Sequence, residues 1–174
     1  MSATATPTKN HAWIYFFAFL IVASVGVTAF MIWFNLSIQL TAKQLNEAKD
    51  LWKENGPKDY NLIYTKRLND DSRVHTFKIK VRAGKVEEVL LDGKPLAQNK
   101  DEGQEQDPRI FHSMHQILRD IERFMDQDSK PGAPKVYVTA IFDDKNGALR
   151  RYIRRVMGTN LRIEMHLTVE AVEK

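Results

Sequence analysis

One uninterrupted apolar stretch near the amino terminus constrains this chain more than any other feature. Residues 12–36 read AWIYFFAFLIVASVGVTAFMIWFNL, 25 residues without a single Asp, Glu, Lys or Arg. A helix that crosses the hydrocarbon core of a bilayer needs about 20 such residues. Trp13 and Trp33 lie 20 positions apart, which is roughly 30 Å along a helix. Because tryptophan favours the two membrane interfaces, we expect one transmembrane helix in the lipid bilayer, with Trp13 and Trp33 as its interface anchors.

Two other interpretations of this stretch are open. A buried helix of a soluble protein would need a core that encloses it on all sides, and the remaining chain is short for that. A cleaved signal peptide would use the small residues Val27-Thr28-Ala29, but the apolar run continues beyond them from Phe30 to Phe34. Signal peptides have a shorter apolar region and a polar stretch after the cleavage site. The membrane anchor is therefore the favoured interpretation.

The anchor divides the chain into a disordered tail, the transmembrane helix, a helical stalk and a folded domain, expected at residues 1–11, 12–36, 37–56 and 57–174. The tail is rich in Ser, Thr and Ala and has nothing to pack. The stalk is expected to continue the anchor helix without a break, because Leu45, Ala48 and Trp52 recur at helical spacing, and Gly56-Pro57 then ends the helix.

Lysines near the anchor bear on which side of the membrane the domain lies. Lys9 precedes the helix, whereas Lys43, Lys49 and Lys53 follow it. By the positive-inside rule this count favours a cytoplasmic domain by one or two charges. Many single-anchor proteins with a short tail place the domain outside, and the family resemblance described below points the same way. We therefore expect a single-pass protein of the inner (cytoplasmic) membrane with an extracytoplasmic C-terminal domain.

Beyond the stalk the hydrophobic period changes to two, the period of a β-strand. A first strand is expected at about residues 60–67, a second with Phe77, Ile79 and Val81 on one face, and a third at 86–91. Asp92-Gly93 closes the third strand, and a following proline excludes an interior strand there. This segment is expected to be a three-stranded meander with one solvated face.

One amphipathic helix separates this meander from a second run of strands. Asp107 is expected to cap the helix, with Pro108 as its first residue. Its apolar face is formed by Ile110, Met114, Ile117, Ile121 and Phe124. Three more strands are expected at about residues 136–142, 149–157 and 161–170. Runs of strands around a single helix indicate an α+β domain of order β-β-β-α-β-β-β, in which the helix packs on an antiparallel sheet.

The fifth of these strands is unusually basic, with two arginines on each of its faces: Arg150, Arg151, Arg154 and Arg155. The second strand adds three cations on one face: Lys78, Lys80 and Arg82. Because arginines that face a core are costly, the fifth strand is expected at an edge or twisted, or one arginine pair lines a cleft. These seven residues form a candidate surface for lipid headgroups, a cell-wall polymer or an acidic protein. The alternative is that charged edge strands only discourage aggregation.

No catalytic, cofactor or metal site is expected. The chain has no cysteine, which excludes thiolate chemistry and thiolate metal ligands. His112 and His115 are three residues apart but fall on the polar side of the expected helix, and His75 and His166 are outward strand residues. The net charge of +4 is too small to indicate a nucleic-acid partner, because acidic residues are mixed throughout.

Several strand patterns together resemble a known family. They are Trp52, Pro57-x-x-Tyr60-Asn61-Leu62-x-Tyr64, Phe77-x-Ile79-x-Val81-x-x-Gly84-Lys85-Val86-x-x-Val89, and residues 136–142 followed by Asp143, Gly147 and residues 149–153. Over about residues 51–156 the chain resembles the DUF6174 family of small bacterial envelope domains, whose function is uncharacterised. Family members often carry Gly-Tyr-Pro after the acidic turn, where this chain has Gly147-Ala148-Leu149. The resemblance implies an extracytoplasmic domain and supplies no catalytic residues.

These observations favour a membrane-anchored, non-enzymatic domain that binds another envelope protein or an anionic envelope component. One alternative is an assembly subunit of a larger membrane complex, with the small residues Ala23, Gly26 and Ala29 packed on a neighbouring helix. Another is a hydrolase, which would need His75, His166 and a carboxylate to meet in one pocket. An assembly subunit would co-purify with other chains in a fixed stoichiometry. A hydrolase would bring these side chains together in one pocket.

Overall fold

The computed structural model describes residues 12–69, 73–96 and 112–172. After Ile38 the chain divides into two compact units. The first contains one long helix, α1 (Ala12–Ser37). This helix is long and apolar enough to cross a membrane by its length and composition, and its large apolar side chains from Trp13 to Leu36 are exposed. The expected anchor is therefore helical, as the apolar run predicts.

Within the described residues, the second unit comprises an antiparallel sheet of seven strands and two helices. In chain order its elements are α2 (Ala42–Asn55), β1 (Tyr60–Leu68), β2 (His75–Arg82), β3 (Lys85–Leu91), β4 (Lys94–Pro95), α3 (Met114–Asp128), β5 (Val136–Phe142), β6 (Leu149–Val156) and β7 (Arg162–Ala171). The strands lie side by side in the order β4-β3-β2-β1-β7-β6-β5. The first and last long strands, β1 and β7, pair at the centre along nine residues of β1. The α+β class and the antiparallel sheet are confirmed.

Every buried residue of the sheet lies on one face, called here the core face. Tyr60, Leu62 and Tyr64 of β1 alternate with half-buried residues, as the period of two predicts. Their neighbours across the strands, such as Ile79 and Leu167, share that face and join the same core. The side chains on the other face, called the open face, are half-buried or exposed.

Two helices, rather than the single expected one, pack on the core face. Helix α2 begins afresh at Ala42, because Thr41 and Gln44 form a capping box that satisfies the first free N–H groups. Its buried side chains, Leu45, Ala48 and Trp52, belong to the core of the sheet unit. The expected continuous helix from the anchor is thus wrong: it breaks between Ser37 and Ala42. Thr41-x-x-Gln44 is a helix start signal that can be recognised in the sequence, so this break was predictable.

Helix α3 begins later than expected. Ser113 is extended and accepts a hydrogen bond from the Gln116 N–H, so the helix that carries Ile117 and Ile121 starts at Met114. The expected cap Asp107 and first residue Pro108, together with Ile110, lie outside the described residues. The Met114 N–H donates to the Tyr60 hydroxyl at 3.2 Å, which fixes the start of α3 over the centre of the sheet.

Two details of the strands also differ from expectation. The short strand β4 adds a seventh strand at the sheet edge, where a proline is tolerated because its nitrogen need not donate. In β6 the register against β5 shifts between Ile141 and Phe142. This irregularity turns Leu149 into the core with an exposed fraction of 0%. Arg150 therefore has no partner residue in β5, and the expected arrangement of two arginines on each face of β6 does not hold.

Candidate anion-binding surface

The four arginines of β6 divide between three environments. Arg154 lies on the core face and forms a two-bond ion pair with Asp128 at the end of α3, with Nε–Oδ2 and Nη2–Oδ1 distances of 2.8 and 2.5 Å. Its guanidinium also lies 5.6 Å from the centre of the Phe124 ring. Arg150 pairs with Asp143 at the end of the strand. Only Arg151 and Arg155 lie on the open face.

On the open face, Arg151 and Arg155 join two arginines that the sequence analysis did not single out. We call this group the arginine cluster: Arg67 of β1, Arg151 and Arg155 of β6, and Arg162 of β7. The strand register brings them together, because Arg67 lies opposite Glu164 and Arg155 lies opposite Arg162. The cluster therefore spans three neighbouring strands near the middle of the sheet.

Among the residues that the structure describes, Glu164 is the one carboxylate at the centre of the arginine cluster. Its oxygens lie 2.9 Å from Arg162 Nη2, 3.5 Å from Arg151 Nη2 and 3.1 Å from His166 Nε2. Burial alone would raise the pKa of the Glu164 carboxyl, but the hydrogen bond from His166 and the charge of Arg162 outweigh burial and leave that pKa below its usual range. Glu164 is thus ionised at neutral pH.

One glutamate cannot neutralise four arginines. Arg67 and Arg155 are exposed and have no carboxylate partner among the described residues. Arg155 and Arg162 stand directly opposite each other on paired strands, an arrangement of like charges that weakens a sheet. The cluster therefore carries a surplus of positive charge that costs stability and is exposed to solvent. Carboxylates, phosphates and sulfates are the groups that a set of arginine forks accommodates best.

The three cations expected on β2 are less available. Lys80 pairs with Glu88 at 2.5 Å. Arg82 donates from Nη1 to the carbonyl oxygens of Tyr60 and Val81 and from Nη2 to the amide oxygen of Asn61, so it braces the backbone. Lys78 is exposed on the open face without a carboxylate partner among the described residues. Of the seven expected residues, Arg155 and Lys78 are exposed on the open face and have no carboxylate partner among the described residues, whereas Arg151 is exposed there beside Glu164.

The histidines do not converge on one site. His75 lies at the edge of the core face, with Nδ1 2.9 Å from Asp92 Oδ2, whereas His166 lies on the open face beside Glu164. His75 and His166 therefore face opposite sides of the sheet and use different carboxylates. Within the described ranges no group of three His, Asp or Glu side chains is close enough to hold a metal ion.

His112 does not occupy the solvated helix face on which the sequence analysis placed it. It precedes α3 and is half-buried, with Nδ1 2.6 Å from the Tyr64 hydroxyl and its ring stacked 5.0 Å from that of Phe77. Burial lowers the pKa of His112, and the charge of Lys66 lowers it further. The error follows from the expected helix start at Asp107: with the true start at Met114, the helical angle assigned to His112 no longer applies.

Sequence reasoning found half of the arginine cluster and missed the other half. Arg162 and Glu164 were recognisable as outward residues of the last strand from their alternation with Ile163 and Met165. Nothing in the sequence shows that β7 pairs with β1, which is the contact that adds Arg67. Comparison with family models, with curated proteins and with solved structures found no match for this chain.

Proposed function

We propose that this protein is a membrane-anchored, non-enzymatic binding module of the cell envelope. In this proposal α1 holds the chain in the inner membrane, the sheet unit lies on the extracytoplasmic side, and the arginine cluster takes an anionic partner. That partner is an acidic surface of another envelope protein or an anionic envelope component. The DUF6174 resemblance is consistent with this proposal and remains a prediction.

The observation that carries the proposal is the charge balance on the open face. Charged side chains that serve only to keep a strand soluble are usually of mixed sign, because opposite charges across paired strands stabilise a sheet. Here four arginines on β1, β6 and β7 surround one glutamate, and two of them directly oppose each other. Such a surplus raises the local concentration of anions and favours association with them.

A polyanion titration tests the binding surface. The full chain, held in nanodiscs of zwitterionic lipid, is titrated with fluorescent poly-L-glutamate as a stand-in for an acidic protein surface. We expect binding that weakens with salt, and about a five- to tenfold loss in Arg151→Gln/Arg155→Gln, because two charge-assisted contacts are removed.

Lys130→Gln/Lys145→Gln is the matched control, since it removes the same two charges from exposed loop positions outside the sheet. It should bind within about twofold of the unsubstituted chain, because a change of net charge alone acts weakly at moderate salt. Equal losses in the two double variants would show that binding follows net charge rather than the arginine cluster, and would end the proposal for this surface.

Protease accessibility tests the side of the membrane. Cells that express the full chain are treated with protease before and after the outer barrier is opened. The proposal expects digestion of the sheet unit as soon as that barrier is open. Protection in spheroplasts that is lost on lysis would place the sheet unit in the cytoplasm, as the lysine count alone suggests.

A further inference from the structure

A cleft lies between α3 and the core face of the sheet, on the side opposite the arginine cluster. Its volume is about 290 Å³. The walls are mainly apolar, with Ile117, Ile121 and Phe124 from α3 and Ile163 and Met165 from β7. This volume lies at the lower end of the range for small-molecule sites, which begins at about 300 Å³.

Two tyrosines and a histidine give the cleft a few polar groups. Tyr64, His112 and Tyr152 all line it. The Tyr64 hydroxyl already binds His112 Nδ1. The Tyr152 side chain is fully buried, and its hydroxyl has no hydrogen-bond partner among the described residues. A buried hydroxyl without a partner costs free energy, so such a group is often completed by a ligand or a water.

Lys66 supplies a positive charge at the same cleft. It lies on the core face opposite Met165 and has no carboxylate partner among the described residues. The other charged lining residues, Asp120 and Arg123, lie 3.4 Å apart and largely offset each other. Burial, and then the charge of Lys66, lower the pKa of His112, so the positive charge at the cleft comes from Lys66 and not from the imidazole. Among the described lining residues, Lys66 therefore leaves a net positive charge.

We propose that this cleft binds a small amphipathic carboxylate whose apolar or aromatic body packs between Phe124 and Met165. Its acidic group pairs with Lys66, and the Tyr152 hydroxyl donates a hydrogen bond to it or to a polar group of its body. The small volume of the cleft favours a ligand of about ten non-hydrogen atoms over a drug-sized one. This site is independent of the arginine cluster, because the two lie on opposite faces of the sheet.

The test uses 4-fluorophenylacetate as a probe, with the uncharged 4-fluorophenylacetamide as its isostere. Fluorine NMR follows the binding of each to the full chain in nanodiscs of zwitterionic lipid, with empty nanodiscs as the reference for partition into lipid. We expect a dissociation constant of about 1 mM for the acid, the usual range for a ligand of this size. The acid should bind about five- to tenfold more tightly than the amide.

Substitutions locate the binding. Lys66→Met keeps the aliphatic stem and should abolish the preference for acid over amide. Lys78→Met removes the same charge from the open face and should leave both affinities unchanged. Arg151→Gln/Arg155→Gln should bind the probe as tightly as the unsubstituted chain does. Failure of the cleft proposal can therefore be distinguished from failure of the proposal for the arginine cluster.

Tyr152→Phe provides a second readout. If the hydroxyl serves the ligand, the variant binds the probe more weakly while the free protein unfolds at the same urea concentration or a higher one. A less stable Tyr152→Phe would mean that the hydroxyl has a partner within the protein, and would overturn its part in the site. No saturable binding of the acid, or equal binding by Lys66→Met, would overturn the proposal as a whole.

Discussion

At the scale of single residues, the ion pair of Arg154 with Asp128 shows how this fold accommodates an arginine on its core face. The side chains of the two residues are 16% and 10% exposed, so water screens them little. The Asp128 hydrogen bond, followed by the charge of that carboxylate, outweighs burial and raises the pKa of Arg154 above its usual value. The ion pair offsets the cost of burying the Arg154 charge and joins β6 to the end of α3.

Removing one partner of this ion pair should lower the free energy of unfolding far more than replacing both partners with apolar residues. Asp128→Asn is expected to lower the free energy of unfolding by about 2–3 kcal/mol, because it leaves a largely buried guanidinium without its counter-charge. Arg154→Met/Asp128→Leu should recover most of that loss. Urea unfolding of the full chain in detergent measures both. Glu47→Gln, which breaks the exposed pair with Lys43, is the control and should cost about 0.5 kcal/mol or less. If Asp128→Asn lowered the free energy of unfolding by no more than Glu47→Gln does, water would have to screen the Arg154–Asp128 pair as it screens the exposed pair.

His112 should make the stability of the sheet unit depend on pH. Burial, and then the charge of Lys66, lower the pKa of this imidazole in the folded state. An unfolded histidine takes up a proton below about pH 6.5, where folded His112 does not yet do so. The contribution of His112 to stability is therefore present above that pH and is lost as the pH falls towards the lowered pKa.

Thermal unfolding at a series of pH values tests this linkage. The melting temperature is expected to fall from neutral to mildly acidic pH, and His112→Gln should flatten that fall. His115 also has a pKa lowered by burial, and then by Arg119, but it is exposed. His115→Gln should therefore remove a smaller part of the slope. Parallel curves for His112→Gln and the unsubstituted chain would contradict the prediction.

At the scale of elements, Gly147 sets how closely α2 approaches the turn between β5 and β6. Its φ is +71°, and a Cβ at this position would lie 2.1 Å from the Ala48 carbonyl oxygen. The atom in the way is helix backbone, which cannot rotate aside. Gly158, in the turn between β6 and β7, has a similar φ of +76°, but a Cβ there would meet nothing within 4 Å. A substitution at Gly158 would therefore introduce backbone strain alone, whereas one at Gly147 would introduce the same strain and a steric clash.

Alanine substitutions at Gly147 and Gly158 should lower the free energy of unfolding by different amounts. Gly158→Ala is expected to cost about 1 kcal/mol, the penalty of a left-handed conformation for a residue with a Cβ. Gly147→Ala should cost at least about twice as much, because α2 must also move away. Chemical denaturation of the full chain measures both values. Equal costs would indicate that α2 can shift without losing its packing.

The elements also show where sequence reasoning succeeds. Alternation placed all six long strands, because a sheet covered on one face repeats its burial pattern every two residues. Smooth patterns failed where a local hydrogen bond sets the helix start: the Thr41 cap starts a new helix, and the Ser113 cap delays α3. They also failed at the register shift near Phe142, which turns Leu149 inward. The pairing of β1 with β7 joins the two ends of the domain, and no local pattern encodes such a contact. The arginine cluster depends on that pairing.

At the scale of the whole molecule, the apolar helix α1 gives two testable alternatives. A membrane anchor stays attached to the mature protein, whereas a signal sequence with its small residues at Val27-Thr28-Ala29 would be removed. The helix contains 13 Leu, Ile, Phe and Val residues within residues 12–36. At about −0.3 to −0.6 kcal/mol each, these favour insertion by about 4–8 kcal/mol in total.

Two arginines at the centre of α1 should cancel that driving force. Each costs about 2.5–3.5 kcal/mol at the middle of a membrane helix, so Val22→Arg/Val25→Arg is expected to be released from membranes by alkaline carbonate. Ser37→Arg places a charge at the helix end, where a long side chain reaches the interface, and should remain in the pellet. The intact mass of the chain in that pellet should include residues 12–36. A mature chain that begins at Phe30 would instead show that α1 is a signal sequence, and the anchored binding module would have to be abandoned.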